Sequence, residues 1–392
     1  MGNALELFAA PPAGRHAPLF EEAIARMLAR IDATALAVGD QFPLSAEPED
    51  GAWLTAPDGR WTGGFWVGQL WLALQATGDR RYRDLAEAAL ARLEVRLERD
   101  NVLNGLVFYY GAALGEQLHG NAACAALGQR GAKALARRFK PGPGFIPLGH
   151  DSGSLTGDAE GETNIDGVPG MGLLWWAAAR TGDSVLADIA SAHVRRHAEL
   201  CLRADGSLFQ AALVDPLSGV TARLYSPRGY EADTSTWARA QSWGMLGFAQ
   251  ACAWTKDPGF RSAAMSAADW WLGAVPDDRV AFWDFNDPAI PATQRDTSAT
   301  AMTAAALLKL ARLAPEPNQR ARYAEAGADT VRALVERYLV PTHAQDHRPR
   351  GMLTEGCWQR NQGMSTRHEL VWGDYYLLEA LLVLTGRIGQ IL

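Results

Sequence analysis

The chain has 392 residues, of which 48% are apolar and 21% charged, and a net charge of −7. An acidic balance without any basic cluster excludes a general binder of nucleic acid or of anionic membranes. No apolar run reaches the ~20 residues that span a bilayer, so no membrane partner is expected. The four cysteines (Cys124, Cys201, Cys252, Cys357) form no CxxC pair and read as buried free thiols, not as zinc or redox ligands. The opening MGNALELFAAPPAGRH has no basic-then-apolar leader pattern and no Ser or Thr at position 6, which makes a cytoplasmic protein the expectation.

The first periodic stretch, PLFEEAIARMLARIDATAL, is an amphipathic helix. Beyond it the chain repeats one unit: an Ala/Leu-rich apolar helix, a short polar turn, then an amphipathic helix. GGFWVGQLWLALQATGD leads into RRYRDLAEAALARLEVRL, and LVFYYGAALGEQLHG leads into NAACAALGQRGAKALARRF. GMGLLWWAAARTGD leads into SVLADIASAHVRRHAEL, and SWGMLGFAQACAWTKD leads into PGFRSAAMSAADWWLGAV. TSATAMTAAALLKLARLA leads into NQRARYAEAGADTVRALVERYL, and a last apolar helix, GDYYLLEALLVLTGR, pairs with the N-terminal one. Three of the turns share a helix stop followed by Asp79, Asp183 or Asp257, each able to cap the next helix. Helices apolar all round belong inside and amphipathic ones outside, so the six hairpins predict an all-α (α/α)6 barrel spanning 1–392 as a single domain. An open solenoid is the alternative. Strand signals are few, with LFQAALV and RVAFWDF expected as short hairpins at the rim.

Fourteen tryptophans are present. Trp71, Trp175, Trp176, Trp270 and Trp271 read as core filler. Trp61, Trp66, Trp237, Trp243 and Trp372 cluster where loops enter apolar helices, which suits a cleft for sugar rings. The segments before the inner helices gather at one end of such a ring and carry Asp166, Arg239, Gln241, Asp296 and Asp374. Helix capping is an even alternative for Asp296 and Asp374. Asp166 sits in the apolar frame Ile165-Asp-Gly-Val-Pro, where desolvation raises a carboxyl pKa and keeps a proton available. His193 and His197 have metal-ligand spacing on an outer helix, but no third ligand is in view and no metal is assigned.

The set WTGGFWVGQLW, NIDG, LLWWAAARTGD, DGSLFQ, STWARAQSWGMLGF, VAFWDFND, RDTSATA and VWGDYYLLEALL, in that order, resembles the unsaturated glucuronyl hydrolases of glycoside hydrolase family 88. The family 105 unsaturated rhamnogalacturonyl hydrolases are a more distant likeness. The resemblance implies an (α/α)6 fold, no metal or organic cofactor, and an oligosaccharide substrate produced by a polysaccharide lyase. It implies release of a terminal 4,5-unsaturated uronic acid by vinyl-ether hydration, not by displacement at the anomeric carbon. It places the acid/base on Asp166 and the cleft residues on Trp61, Trp237, Arg239 and Trp243.

Three positions depart from that pattern. The family's second Asp falls on Asn104 or, with a one-residue shift, on Leu103; neither ionises. Its histidine after DGS is Gln210, and a loop tryptophan falls near His150. Two readings follow: His150 or Asp151 takes over from the missing Asp, or the cleft serves another, saturated glycan or only binds one. A histidine-based sugar epimerase on the same barrel ranks last, since the inner-helix segments hold only His368. Arg223 and Arg228 read as solvated loop charges or as anion contacts.

Overall fold

The computed structural model describes residues 14–152 and 157–389; the stretch 1–13, on which the leader reading rests, lies outside them. The hairpin pattern of the sequence builds an (α/α)6 barrel. The helices are α1 (Ala17–Val38), α2 (Gly63–Thr77), α3 (Arg80–Arg92), α4 (Asn104–Phe108), α5 (Leu114–His119), α6 (Ala122–Ala136) and α7 (Gly172–Thr181). They continue with α8 (Ser184–Cys201), α9 (Ala238–Thr255), α10 (Pro258–Ala274), α11 (Thr297–Leu313), α12 (Pro317–Arg337) and α13 (Val371–Leu384). A π-helical stretch, Tyr109–Ala113, joins α4 to α5 in one rod.

Burial separates the two rings as composition predicts. Every residue of α13 is buried, as is every residue of α2 from Gly63 to Leu74. On α3 only Tyr82, Ala86, Ala89 and Leu90 are buried. The inner ring closes as α2, the α4–α5 rod, the Asp166 turn with α7, α9, α11 and α13, and α1 packs outside α13. Desolvating a continuous apolar interior is the main stabilising contribution here.

The repeated turns do what their residues allow. Gly78, Gly182 and Lys256 end their helices in the left-handed conformation, and Asp79, Asp183 and Asp257 accept the N–H of Arg81, Val185 and Gly259. These ordered turns fix three of the hairpins locally.

The strands differ from expectation. β1 (Phe42–Ala46) pairs with β2 (Trp53–Ala56) and with a short strand, Glu369–Leu370, that leads into α13. The LFQAALV segment supplies β4 (Ala211–Val214), which runs antiparallel between β3 (Glu162–Asn164) and β5 (Thr221–Tyr225). RVAFWDF forms no strand hairpin; it makes isolated bridges, Phe282 to Arg295 and Trp237 to Asp284. Its Asp284, and Asp287 just after it, bend the chain by accepting the backbone N–H groups of Asn286 and Ala289, which ends any ladder. No helix among the described residues is long and apolar enough to cross a membrane.

Candidate functional site

Asp166 lies in a 3₁₀ turn, Ile165–Met171, that runs into α7. This turn approaches α4 backbone to backbone. A Cβ on Gly170 would stand 2.9 Å from the Gly105 carbonyl carbon and the Leu106 nitrogen, so only glycine allows the approach. The contact brings Asp166 and Leu103 to one cleft. Its wall also holds Trp61, Leu148, Ser152, Glu162, Asn164, Arg228, Trp237, Arg239, Trp243 and Trp358, around about 550 Å³ of empty space. A wall of tryptophans with a few polar groups suits a sugar ring.

Asp166 is buried, at 8% exposure. Its Oδ2 accepts one hydrogen bond, from Gln210 Nε2 at 3.1 Å. Its Oδ1 is buried with no partner among the described residues. Desolvation raises the Asp166 pKa and the charge of Glu162 adds to it, against the lowering effects of Arg228, the Gln210 amide and Arg239. With the amide on Oδ2, the free acceptor of this carboxyl is Oδ1. Gln210 is itself fixed, because its Oε1 accepts the backbone N–H of Arg228 at 3.1 Å.

The tryptophans form a connected wall. Trp61 meets Trp243, Trp358 and Trp372 with ring centroids 6.5, 6.0 and 4.9 Å apart. Trp372 sits fully buried behind that wall, whereas Trp61 stays partly open to the cleft. Arg239 anchors the same wall from below. Its guanidinium lies 4.4 Å over Trp237 and 5.4 Å from Trp372, and it donates to Asp296, to the Cys357 carbonyl and to the Trp358 carbonyl. Arg239 is thus a buried brace with most donors committed.

Arg228 contrasts with it. Its guanidinium lines the cleft and makes no hydrogen bond to a described residue, although burial lowers its pKa. Three contacts hold its loop: Gln210 on Arg228 N, Asn361 Nδ2 on the Gly229 carbonyl at 2.7 Å, and Asp284 Oδ2 on Tyr230 N at 2.9 Å. Arg223 instead pairs with Asp233 at the surface, at 2.6 Å.

The structure therefore gathers Asp166, Trp61, Gln210, Trp237, Arg239 and Trp243 at one site, and leaves Asn104, His150 and Asp151 outside the cleft wall. Asn104 points away from the cavity. Its Oδ1 accepts from Arg96 Nε and Nη2 at 3.2 and 3.1 Å, and its Nδ2 donates to the carbonyls of Arg96 and Arg99. Leu103 occupies the cleft-facing position instead. His150 and Asp151 form a clasp with Asp100 at the rim. The backbone N–H groups of both donate to Asp100, and Asp151 Oδ2 accepts Asp100 N at 2.8 Å. Asp100, His150 and Glu160 bring ligand-type atoms within 4.8 Å of one another, but Arg138 already pairs with Asp100 and Lys140 with Glu160. These charges are locally neutralised.

His193 and His197 are also accounted for. His193 Nδ1 accepts Ile146 N at 3.0 Å, and His197 bridges the His193 carbonyl and Thr163 Oγ1 at 2.8 Å each. Burial keeps both neutral, pushing His197 down to about 4. His197 ties β3 to α8, and His193 ties the segment at Ile146 to the same helix. Asp374 is buried behind the tryptophan wall, where desolvation and the adjacent Glu369 raise its pKa and Arg30 binds Glu369. Asp296 is a helix cap.

Glu162, Asn164 and Trp358 were not singled out as cleft residues from the sequence, whereas Arg228, read as a solvated loop charge or an anion contact, lines the cleft. Alternation along β3 holds a usable signal: Thr163 faces His197, so Glu162 and Asn164 share the opposite, cleft-facing side.

No protein-family model matches the chain. An unsaturated glucuronyl hydrolase of Bacillus sp. (strain GL1) is 32% identical over 351 residues, covering 88% of this chain and 91% of that protein. An unsaturated chondroitin disaccharide hydrolase of Streptococcus pneumoniae is 28% identical over 370 residues, or 92% and 90% of the two chains. Among solved structures, an unsaturated glucuronyl hydrolase variant with dGlcA-Glc-Rha-Glc superposes with a TM-score of 0.87 at 31% identity, covering 95% of this chain and 98% of the other.

Proposed function

Because this chain belongs to the unsaturated glucuronyl hydrolases, we propose that it removes a terminal 4,5-unsaturated uronic acid from lyase-generated oligosaccharides, with Asp166 as the acid. The observation that carries the assignment is the state of Asp166. One oxygen is held by Gln210, the other is unpartnered, and burial favours the protonated form at the edge of a tryptophan-lined cleft.

The reaction follows from that geometry. The Oδ1 proton passes to C4 of the enol ether, and the positive charge that develops at C5 is shared with the ring oxygen. Water adds at C5 and returns its proton to the Asp166 carboxylate, restoring the acid. The resulting hemiketal opens to a ketone, and the hemiacetal left at C1 expels the sugar. Arg228 is the group suited to the uronate carboxylate, since Arg239 is committed to Asp296 and backbone carbonyls. Trp61 offers its partly open face to a sugar ring.

The alternatives have less behind them. No histidine lines the cleft among the described residues, which removes the basis for a histidine-based epimerase. A saturated glycan would call for two carboxyls flanking an anomeric carbon; the cleft's other carboxylate, Glu162, is engaged by Tyr225, and the Leu103 side is apolar. Four buried free thiols suit a reducing compartment and support the cytoplasmic setting. The test is a panel of lyase-derived disaccharides from glycosaminoglycans, pectin, ulvan and gellan. Consumption would be followed by loss of the ultraviolet absorbance of the conjugated enol-ether acid. At least one substrate should respond, and Asp166→Asn should abolish the response. Silence across the panel would reject the reaction.

A further inference from the structure

One polar side chain on the cleft wall serves neither the fold nor the reaction described so far. Asn164 is 4% exposed and lines the same cavity as Asp166. Its Oδ1 is buried without a partner, and neither end of its amide hydrogen-bonds a described residue. The neighbouring polar groups are engaged or already assigned. Glu162 accepts Tyr225 Oη–H at 2.8 Å, Ser152 Oγ donates to the Gly149 carbonyl at 2.7 Å, and Arg239 is held by Asp296. Arg228 is suited to the uronate carboxylate. A buried amide left unpaired is destabilising and is retained where a ligand completes it. We propose that Asn164 is a specificity-determining residue: its amide hydrogen-bonds the C3 hydroxyl of the unsaturated uronate and sets C4 against Asp166.

The proposal rests on the reading that an unsaturated uronate occupies the ring site beside Asp166. The backbone supports it. Antiparallel pairing fixes Asn164 opposite Ala211, and alternation turns its side chain to the cleft while Thr163 holds His197 behind. The chain then runs straight into the Asp166 turn, where Ile165 N donates to the Gln210 carbonyl at 2.8 Å. Two residues along a chain span at most ~7 Å, the reach of one pyranose ring with its substituents. A group bound by Asn164 is therefore on the ring that Asp166 protonates. On that ring C1 carries the leaving sugar, C4 and C5 form the double bond, and the carboxylate on C5 goes to Arg228. Hydroxyls remain at C2 and C3, and C3 is the neighbour of the reacting C4. An amide suits a hydroxyl, since it offers an acceptor and two donors without charge. Arg228 on the C5 side and Asn164 on the C3 side bracket C4 and orient it for the proton.

The test is a double cycle between residue and hydroxyl. Wild type and Asn164→Leu, which keeps the branched shape without a polar atom, each receive the panel disaccharide consumed fastest and its 3-deoxy analogue. Removing either partner should lower kcat/KM roughly tenfold, the worth of about one hydrogen bond. Removing both should cost no more than about twofold beyond either loss alone, because a single interaction is lost in every case. Losses that multiply overturn the proposal, since a residue that only shapes β3 cannot sense the hydroxyl. Asn164→Ala repeats the cycle where the thermal midpoint of Asn164→Leu shows that the larger side chain disturbs the strand. Dissociation constants of the same sugars in the Asp166→Asn background, by calorimetry, separate this proposal from the reaction. If wild type binds a panel disaccharide but consumes none, the reaction assignment fails and the binding cycle still decides the role of Asn164. Absence of binding across the whole panel overturns both.

Discussion

Two aspartates stand at the entrances of inner helices, both buried, and they have opposite surroundings. Asp296 caps α11 and has its acceptors filled: Ser298 N at 3.1 Å, Ala299 N at 3.2 Å, Ser298 Oγ at 2.6 Å, and Arg239 Nη1 at 2.5 Å. Asp166 opens the turn before α7 with one amide donor, and its other oxygen is unpartnered. The first carboxylate is stabilised as an anion and contributes to the fold. The second is held where its charge is disfavoured, and a group with that cost is a group with a proton to give. Position at the mouth of the ring does not distinguish them; unfilled hydrogen-bonding capacity does.

The same substitution at both sites sharpens the contrast. Asp166→Asn should lower kcat by roughly 10²–10⁴, the usual worth of a general acid, with thermal stability unchanged or slightly raised. Asp296→Asn should cost about 3 kcal/mol of stability, because it leaves the Arg239 guanidinium buried beside a neutral partner. Urea denaturation and initial rates on both variants separate the two roles. A stable, active Asp296→Asn protein would break the comparison.

The sequence exposes these sites unequally. The (α/α)6 ring is readable because its information is local: apolar all-round helices, amphipathic partners and Asp-capped turns recur down the chain. Asp166 is readable for the same reason, since its apolar frame lies beside it in sequence. Arg228 and Glu162 are not. Arg228 reads either as a loop charge or as an anion contact, and only the contacts of its loop to Gln210, Asp284 and Asn361 place it in the cleft. Glu162 arrives by antiparallel pairing of β3 with β4, about fifty residues on. Asn104 and Leu103 show the cost of a single-residue ambiguity. Both fit the departure from the family pattern, but the helical turn sends Asn104 to Arg96 and Leu103 to the cavity. His150 and Asp151 failed to reach the cleft because Asp100 holds their turn at the rim.

A smaller effect tests the histidine staple that carries β3, and hence Glu162, against α8. His197 falls to about 4 in the folded protein, from an ordinary 6.5, because burial disfavours its charged form. On unfolding it takes up a proton anywhere between those values. Stability from this group is therefore complete above the unfolded value and is lost as pH falls towards the folded one. The expected loss is about 2 kcal/mol between pH 7 and pH 5, from ~1.4 kcal/mol per unit. Urea midpoints at the two pH values measure it, and His197→Gln should flatten the slope. An equal slope in the variant would remove the pair from the acid sensitivity of the fold.

The finest test concerns the one donor that Asp166 does have. Gln210→Met keeps the length of the side chain but removes the N–H on Oδ2 and the acceptor on Arg228 N. The amide favours the ionised form of Asp166, so its loss should raise the Asp166 pKa and move the alkaline limb up. Freed from Gln210, the Arg228 loop should also hold the substrate carboxylate less well, raising KM. Together the losses amount to roughly tenfold in kcat/KM, the worth of about one buried hydrogen bond. The direction is the sensitive part. Damage to packing alone would leave the limb in place, so a limb that moves down in Gln210→Met would refute the assignment of the proton to Asp166.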